Sequence, residues 1–223
     1  MVISQIIPLA SFIGLILSSI WLVFFLLEDR VRPEPKLIIT KTFVIGMVSA
    51  LAAAGIEKLL SILYIANSIG DYSMTAIFSN AFAEEFVKFM VVWIFISIYK
   101  EFDEPIDYMI YMIVAALGFA MVENIFFLSA ATGLSQMIGI SILRFVGATL
   151  MHALSSGIHG SFWAKGLAPI GLIIATLIHG TFNVLVMKTS PELIPITFLI
   201  VVAFVVLHEF DKIKEYYYER KRG

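Results

Sequence analysis

The residues able to do chemistry in this chain are few and sit in apolar surroundings. They are Glu84-Glu85-Phe86-Val87-Lys88, then Glu123-Asn124, then Arg144, His152 and His159, then His179 and Asn183. An ionisable side chain in a bilayer-crossing stretch costs about 3 kcal/mol or more unless paired or hydrated, so such residues mark functional positions. Two imidazoles and a carboxylate can hold Zn²⁺ and leave a fourth position for water, with a further glutamate to take the water's proton. Without a metal, a glutamate beside a histidine can activate water directly, while histidine and asparagine donate to the developing oxyanion. Spacing leaves both chemistries open. The chain has no H-E-x-x-H, so any ligands converge from several helices. It has no cysteine, which excludes disulfides, thiolate metal sites and a cysteine nucleophile.

The elements that must position these residues are membrane helices. Of 223 residues, 60% are hydrophobic and 14% charged, against about 25% charged in soluble domains. The formal net charge of −2 supplies no general basic surface, which excludes nucleic acid as a partner. Seven stretches of about 20 residues can each cross the apolar core as a helix: Ile6 to Leu27, Leu37 to Glu57, Ala76 to Tyr99, Ile106 to Ala130, Ile138 to Lys165, Ala168 to Met187 and Ile194 to Leu207. The expected fold is therefore all-α, a polytopic bundle in the cell membrane. One integral domain is expected over 1–208, followed by a charged, Tyr-rich tail over 209–223 that anchors at the interface. The first stretch is read as a retained span because it lacks a basic flank and a small-residue cleavage site.

With seven spans, Arg30, Arg32, Lys36, Lys41, Lys100, Lys165 and the basic tail (Lys212, Lys214, Arg220, Lys221, Arg222) fall on one side, and only Lys188, with Lys58 at the outer edge of the second span, on the other. That bias places the N-terminus outside and the C-terminus in the cytoplasm. On this topology Glu84 lies ~12 Å, Glu123 ~10 Å and His179 ~12 Å below the outer surface, so three helices bring acid, acid and imidazole to one level. His152 fits less well, at ~21 Å if its span starts at Ile138, and a dipping loop over Ala131 to Ile140 would reconcile it. Lys88 sits at i+4 from Glu84 and i+3 from Glu85 and can neutralise either. Small and hydroxyl residues share the faces of both histidines: Ala175 and Thr176 with His179, and Ala148, Thr149, Ser155 and Ser156 with His152. These faces point inward. Glu57 and Lys58 are expected to mark the membrane interface, and His159, ~10 Å deeper than His152, to line or pack the cavity. Arg144 is read as a partner for Glu84, Glu85 or a substrate carbonyl, or as a snorkelling interfacial arginine.

At these positions the chain resembles the PrsW family of intramembrane proteases. The resemblance rests on E-E-x-x-K at Glu84, Glu85 and Lys88, on Gly118-Phe119-Ala120-Met121-Val122-Glu123-Asn124, on Arg144 ahead of His152, and on His179-Gly180-Thr181-Phe182-Asn183. The wider superfamily, with CAAX prenyl endopeptidases and bacteriocin-processing proteases, is similar through the paired glutamates and H-x-x-x-N. The CAAX group's F-x-x-x-H would need Phe where this chain has Ala148, and its E-E-x-x-x-R is here E-E-x-x-K, so PrsW-like cleavage is favoured. The resemblance implies proteolysis of a membrane-anchored protein substrate, with anti-sigma factors the best-known type of target.

The resulting expectation is hydrolysis near the extracytoplasmic side. Glu123, His152 and His179 hold a metal, Zn²⁺. Glu84 deprotonates its water, Glu85 positions Glu84 or pairs with Lys88, and Asn183 or Asn124 steadies the oxyanion. Two other classes compete. An ion- or proton-coupled transporter would need polar access from both faces, whereas Phe89 to Ile98 and Ile110 to Leu117 are almost wholly apolar. A non-catalytic scaffold would not need the double glutamate together with two histidines.

Overall fold

The computed structural model describes residues 3–30, 32–188 and 193–222. Every regular element among them is helical: α1 (Ile3–Leu26), α2 (Lys36–Ala66), α3 (Met74–Phe95), α4 (Asp107–Ser129), α5 (Leu134–Arg144), α6 (Leu150–Ala164), α7 (Ala168–Lys188) and α8 (Leu193–Arg222). A π turn, Phe145–Thr149, joins α5 to α6 into one rod, so the described residues form seven helical rods. Six of these are long and apolar enough to cross a membrane. The seventh, α3, has comparable length but carries Glu84, Glu85 and Lys88. The chain is a multi-pass membrane protein.

α4 is the axis of the bundle, packed by α1, α2 and α6. Its residues from Met109 to Leu117 are all 0 or 1% exposed, as befits a helix that is apolar all round. Close approach depends on small residues, since lipid supplies no hydrophobic drive between helices. A Cβ on Gly46 would overlap the backbone of Ala115, and one on Gly118 would overlap the carbonyl of Phe43, so α2 and α4 touch backbone to backbone. α3 packs on α2 and α7, and α6 packs on α7 and α8. Local signals set the ends: Ser73 Oγ caps α3 by accepting from Ala76 N at 3.2 Å, and Gly166, at φ +76°, ends α6.

Ion pairs gather the basic residues at one end of the bundle. Arg32 pairs with Glu104, Lys165 with Glu209, and Lys214 with Glu28 at 2.5 Å. The first, third and fifth connections and the far end of α8 therefore share one end of the bundle. In the first connection, burial pushes the Glu34 carboxyl above its ordinary range.

Four sequence expectations differ from the structure. α2 continues nine residues past Glu57 to Ala66, so Glu57 lies inside the rod rather than at its edge. The dipping loop expected over Ala131 to Ile140 is largely helix, because α5 starts at Leu134. The third span ends at Phe95, with turns leading to Tyr99. α8 runs unbroken through position 208, and Phe210 and Ile213 beyond it are buried in the core. The side chains of Arg220, Lys221 and Arg222, and Gly223 itself, lie outside the described residues.

Candidate active site and metal centre

Four rods bring the sequence-predicted residues together. Counted from the basic end of the bundle, Glu84 is ~17 Å from Phe95, His179 ~17 Å from Ala168 and His152 ~18 Å from Ala164. His152 therefore shares the level of the other two, and the surplus length of its 31-residue rod extends beyond the site in α5.

Glu85 is the hub. Its carboxylate is fully buried and accepts from Lys88 Nζ at 2.8 Å, Ser155 Oγ at 3.1 Å, Ser156 Oγ at 3.3 Å and His179 Nδ1 at 2.9 Å. With Nδ1–H donating to Glu85, the Nε2 lone pair of His179 is turned toward Glu84, whose Oε2 lies 3.8 Å away. Lys88 is also fully buried. Its Nζ donates to His152 Nδ1 at 2.8 Å, lies 3.9 Å from Glu84 Oε2 and sits 4.4 Å above the Phe119 ring. His152 Nε2–H in turn donates to Glu123 Oε2 at 2.6 Å, and Arg144 Nη2 reaches the same oxygen at 3.1 Å.

Arg144 thus serves Glu123, and its Nε donates to Asn124 Oδ1 at 2.5 Å, while Asn124 Nδ2 donates to Thr149 Oγ1 at 3.0 Å. The π turn explains the reach. Residues 144 and 152 in an uninterrupted α-helix point ~80° apart, whereas one residue absorbed by a π turn brings them to within ~20°. The sequence expectation that Arg144 serves Glu84 or Glu85 is corrected accordingly.

Glu84 is 6% exposed, and its Oε2 is buried without a hydrogen-bond partner. An orphaned carboxylate oxygen carries a desolvation cost that a ligand would relieve. One donor atom each from Glu84, His152 and His179 lie within 4.8 Å of one another, close enough to share one cation. An N₂O donor set of this kind suits Zn²⁺. A cavity of about 280 Å³ opens onto these residues, lined also by Glu123, Asn183 and Arg144.

Glu57 and Asp71 line the same cavity as Glu84. Sequence reasoning missed Glu57 by ending its helix there. A usable signal existed: Gly46, Ala50 and Ala53 form a small-residue stripe on the face that meets α4, and Glu57 is the next position on that stripe. His159 takes no part in the cluster and stacks on Phe89 at 4.8 Å.

A family model described as PrsW family intramembrane metalloprotease matches residues 34–208. Among curated relatives, "Protease PrsW" of Geobacillus kaustophilus is 33% identical over 142 residues, 64% of this chain and 60% of that protein. "Protease PrsW" of Oceanobacillus iheyensis is 27% identical over 85% of this chain and 88% of its own. That of Bacillus subtilis is 25% identical over 75 and 78%. No solved structure matches the chain.

Proposed function

This chain belongs to the PrsW family, and from that membership we propose that it is an intramembrane endopeptidase acting on a membrane-anchored protein. The observation that carries the reading is Glu84: a buried carboxylate with an unpartnered oxygen, flanked by two histidines and facing a cavity.

The geometry favours a division of roles unlike the sequence expectation. Glu84, His152 and His179 are the three donors that would hold a divalent cation, Zn²⁺ by donor type. Such an ion, when bound, lowers the pKa of a water and polarises a carbonyl. Glu123 acts on His152, fixing its ring through Nε2 while Arg144 holds the carboxylate. Glu85 orients His179 in the same way and is itself held by Lys88 and two serines. Asn183 lines the cavity and would donate to a developing oxyanion there. Asn124, with both ends of its amide engaged, braces α4 against the π turn.

A metal-free reading is favoured by one observation: both ring nitrogens of His152 already meet protein partners, Lys88 and Glu123. In that reading Glu84 takes the proton of water directly and His179 assists. An ion-conducting role is disfavoured by the buried, apolar stretch of α4 from Ile110 to Leu117, interrupted only by Tyr111.

The basic end of the bundle is read as cytoplasmic, and with that orientation cleavage of the anti-sigma-factor type would release the extracytoplasmic part of the substrate. The test is cleavage of a single-span substrate by the purified chain and by its Glu84→Gln variant. Loss of cleavage by roughly 10²-fold or more is expected. Cleavage at an undiminished rate would remove the proposal.

A further inference from the structure

A second cavity, about 320 Å³ and almost wholly apolar in its walls, adjoins the first. The two share Phe127, Arg144 and Ala148. Beyond those three, the walls come from Leu143 on α5, Phe182 and Val186 on α7 and Ile196 on α8. Ala148, on the π turn, is the small residue common to the linings of both cavities. Phe127, Leu143 and Val186 are each more than half exposed at the rim, so the pocket opens sideways between rods, toward lipid. α5 leaves this side open, burying only Met137 and Ser141.

We propose that this pocket is a side-chain subsite: it takes one bulky apolar residue of the substrate, close to the scissile bond, as the apolar segment enters laterally past Ala148. The assignment rests on the proteolytic reading above and deepens it. Continuity selects the occupant. A chain whose peptide bond lies among Glu84, His152 and His179 must send neighbouring side chains into adjoining space, and the adjoining space is apolar and of side-chain size. Ile196 and Val186 then set how large a residue is accepted. They act on specificity, and neither lines the first cavity.

The experiment uses the purified full chain in detergent and a pooled library of single-span polypeptides randomised across the apolar segment, with products read by mass spectrometry. The Glu84→Gln variant supplies the background. One position within about three residues of the cut should be enriched in Leu, Ile, Met or Phe, with kcat/KM at least 10-fold above Ala at that position, the discrimination an apolar pocket delivers. Ile196→Trp fills the pocket and should lower kcat/KM for the Leu and Phe substrates about 10-fold while leaving the Ala substrate within about 3-fold. Val186→Ala, a milder change, should extend acceptance toward Trp. Cleavage with no side-chain preference, or a preference that neither variant moves, overturns the subsite and leaves a lipid acyl chain as the pocket's occupant. Products absent from wild type and background alike would refute the proteolytic reading, and this one with it.

Discussion

Lys88→Met removes the only lysine or arginine among the described residues that contacts Glu85. In the wild type the ammonium is fully buried, 2.8 Å from Glu85 Oε1 and 2.8 Å from His152 Nδ1. Its loss leaves an ionised, fully buried carboxylate with three neutral donors, of which the two serine hydroxyls at 3.1 and 3.3 Å are long. Breaking a buried ion pair from one side costs about 3–5 kcal/mol. The three surviving donors put this case at the lower end, about 3 kcal/mol, which for a chain of this size is a fall in Tm of roughly 6–12 °C. The sharper expectation concerns a second substitution. Glu85→Gln in the Lys88→Met background removes the stranded charge and keeps an amide able to meet Ser155, Ser156 and His179. The double variant should therefore be more stable than Lys88→Met alone, with a coupling of about 2 kcal/mol. Thermal unfolding of the four purified proteins in one detergent closes the cycle. A double variant that melts below Lys88→Met, or a Lys88→Met variant within about 2 °C of wild type, would refute the buried hub.

Three further outcomes follow. Glu123→Gln should lower kcat by roughly 10–100-fold with little change in KM, because it loosens His152 without removing any of the three side chains proposed to hold a cation; a loss equal to that of Glu84→Gln would make Glu123 part of the hydrolytic set itself. His159→Phe should preserve the stack on Phe89 and leave kcat within about 3-fold, checked on the same cleavage assay. Gly118→Ala should destabilise by about 1–3 kcal/mol, seen as a lowered Tm in detergent, because the new methyl meets the Phe43 carbonyl.

The helices were legible in the sequence because a bilayer demands long apolar runs, and the three site-bearing stretches around Glu84, Glu123 and His179 fell at one level by counting rise alone. What could not be read follows from how helices depart from that rule. A helix continuing past charged residues, as α2 does beyond Glu57 and α8 beyond His208, gives no hydropathy signal of its length. A π turn leaves no mark in composition, so the alignment of Arg144 with His152 was hidden, and with it the Arg144–Glu123–His152 chain. The allocation of carboxylates between the two histidines was equally invisible. Three glutamates and two histidines at one depth admit several pairings, and only side-chain geometry shows Glu85 on His179, Glu123 on His152 and Glu84 facing both with an oxygen unused.

That unused oxygen, set between two imidazoles, is the centre of the account, and its occupant can be weighed. Elemental analysis of the purified chain, paired with cleavage before and after chelation, should find close to one zinc per chain. The zinc should be lost in His179→Ala, with cleavage falling in step with metal content and returning when zinc is restored to the wild type. Full cleavage by a wild-type preparation with less than about a tenth of a metal ion per chain would contradict the metal centre and leave hydrolysis to Glu84 and His179 alone.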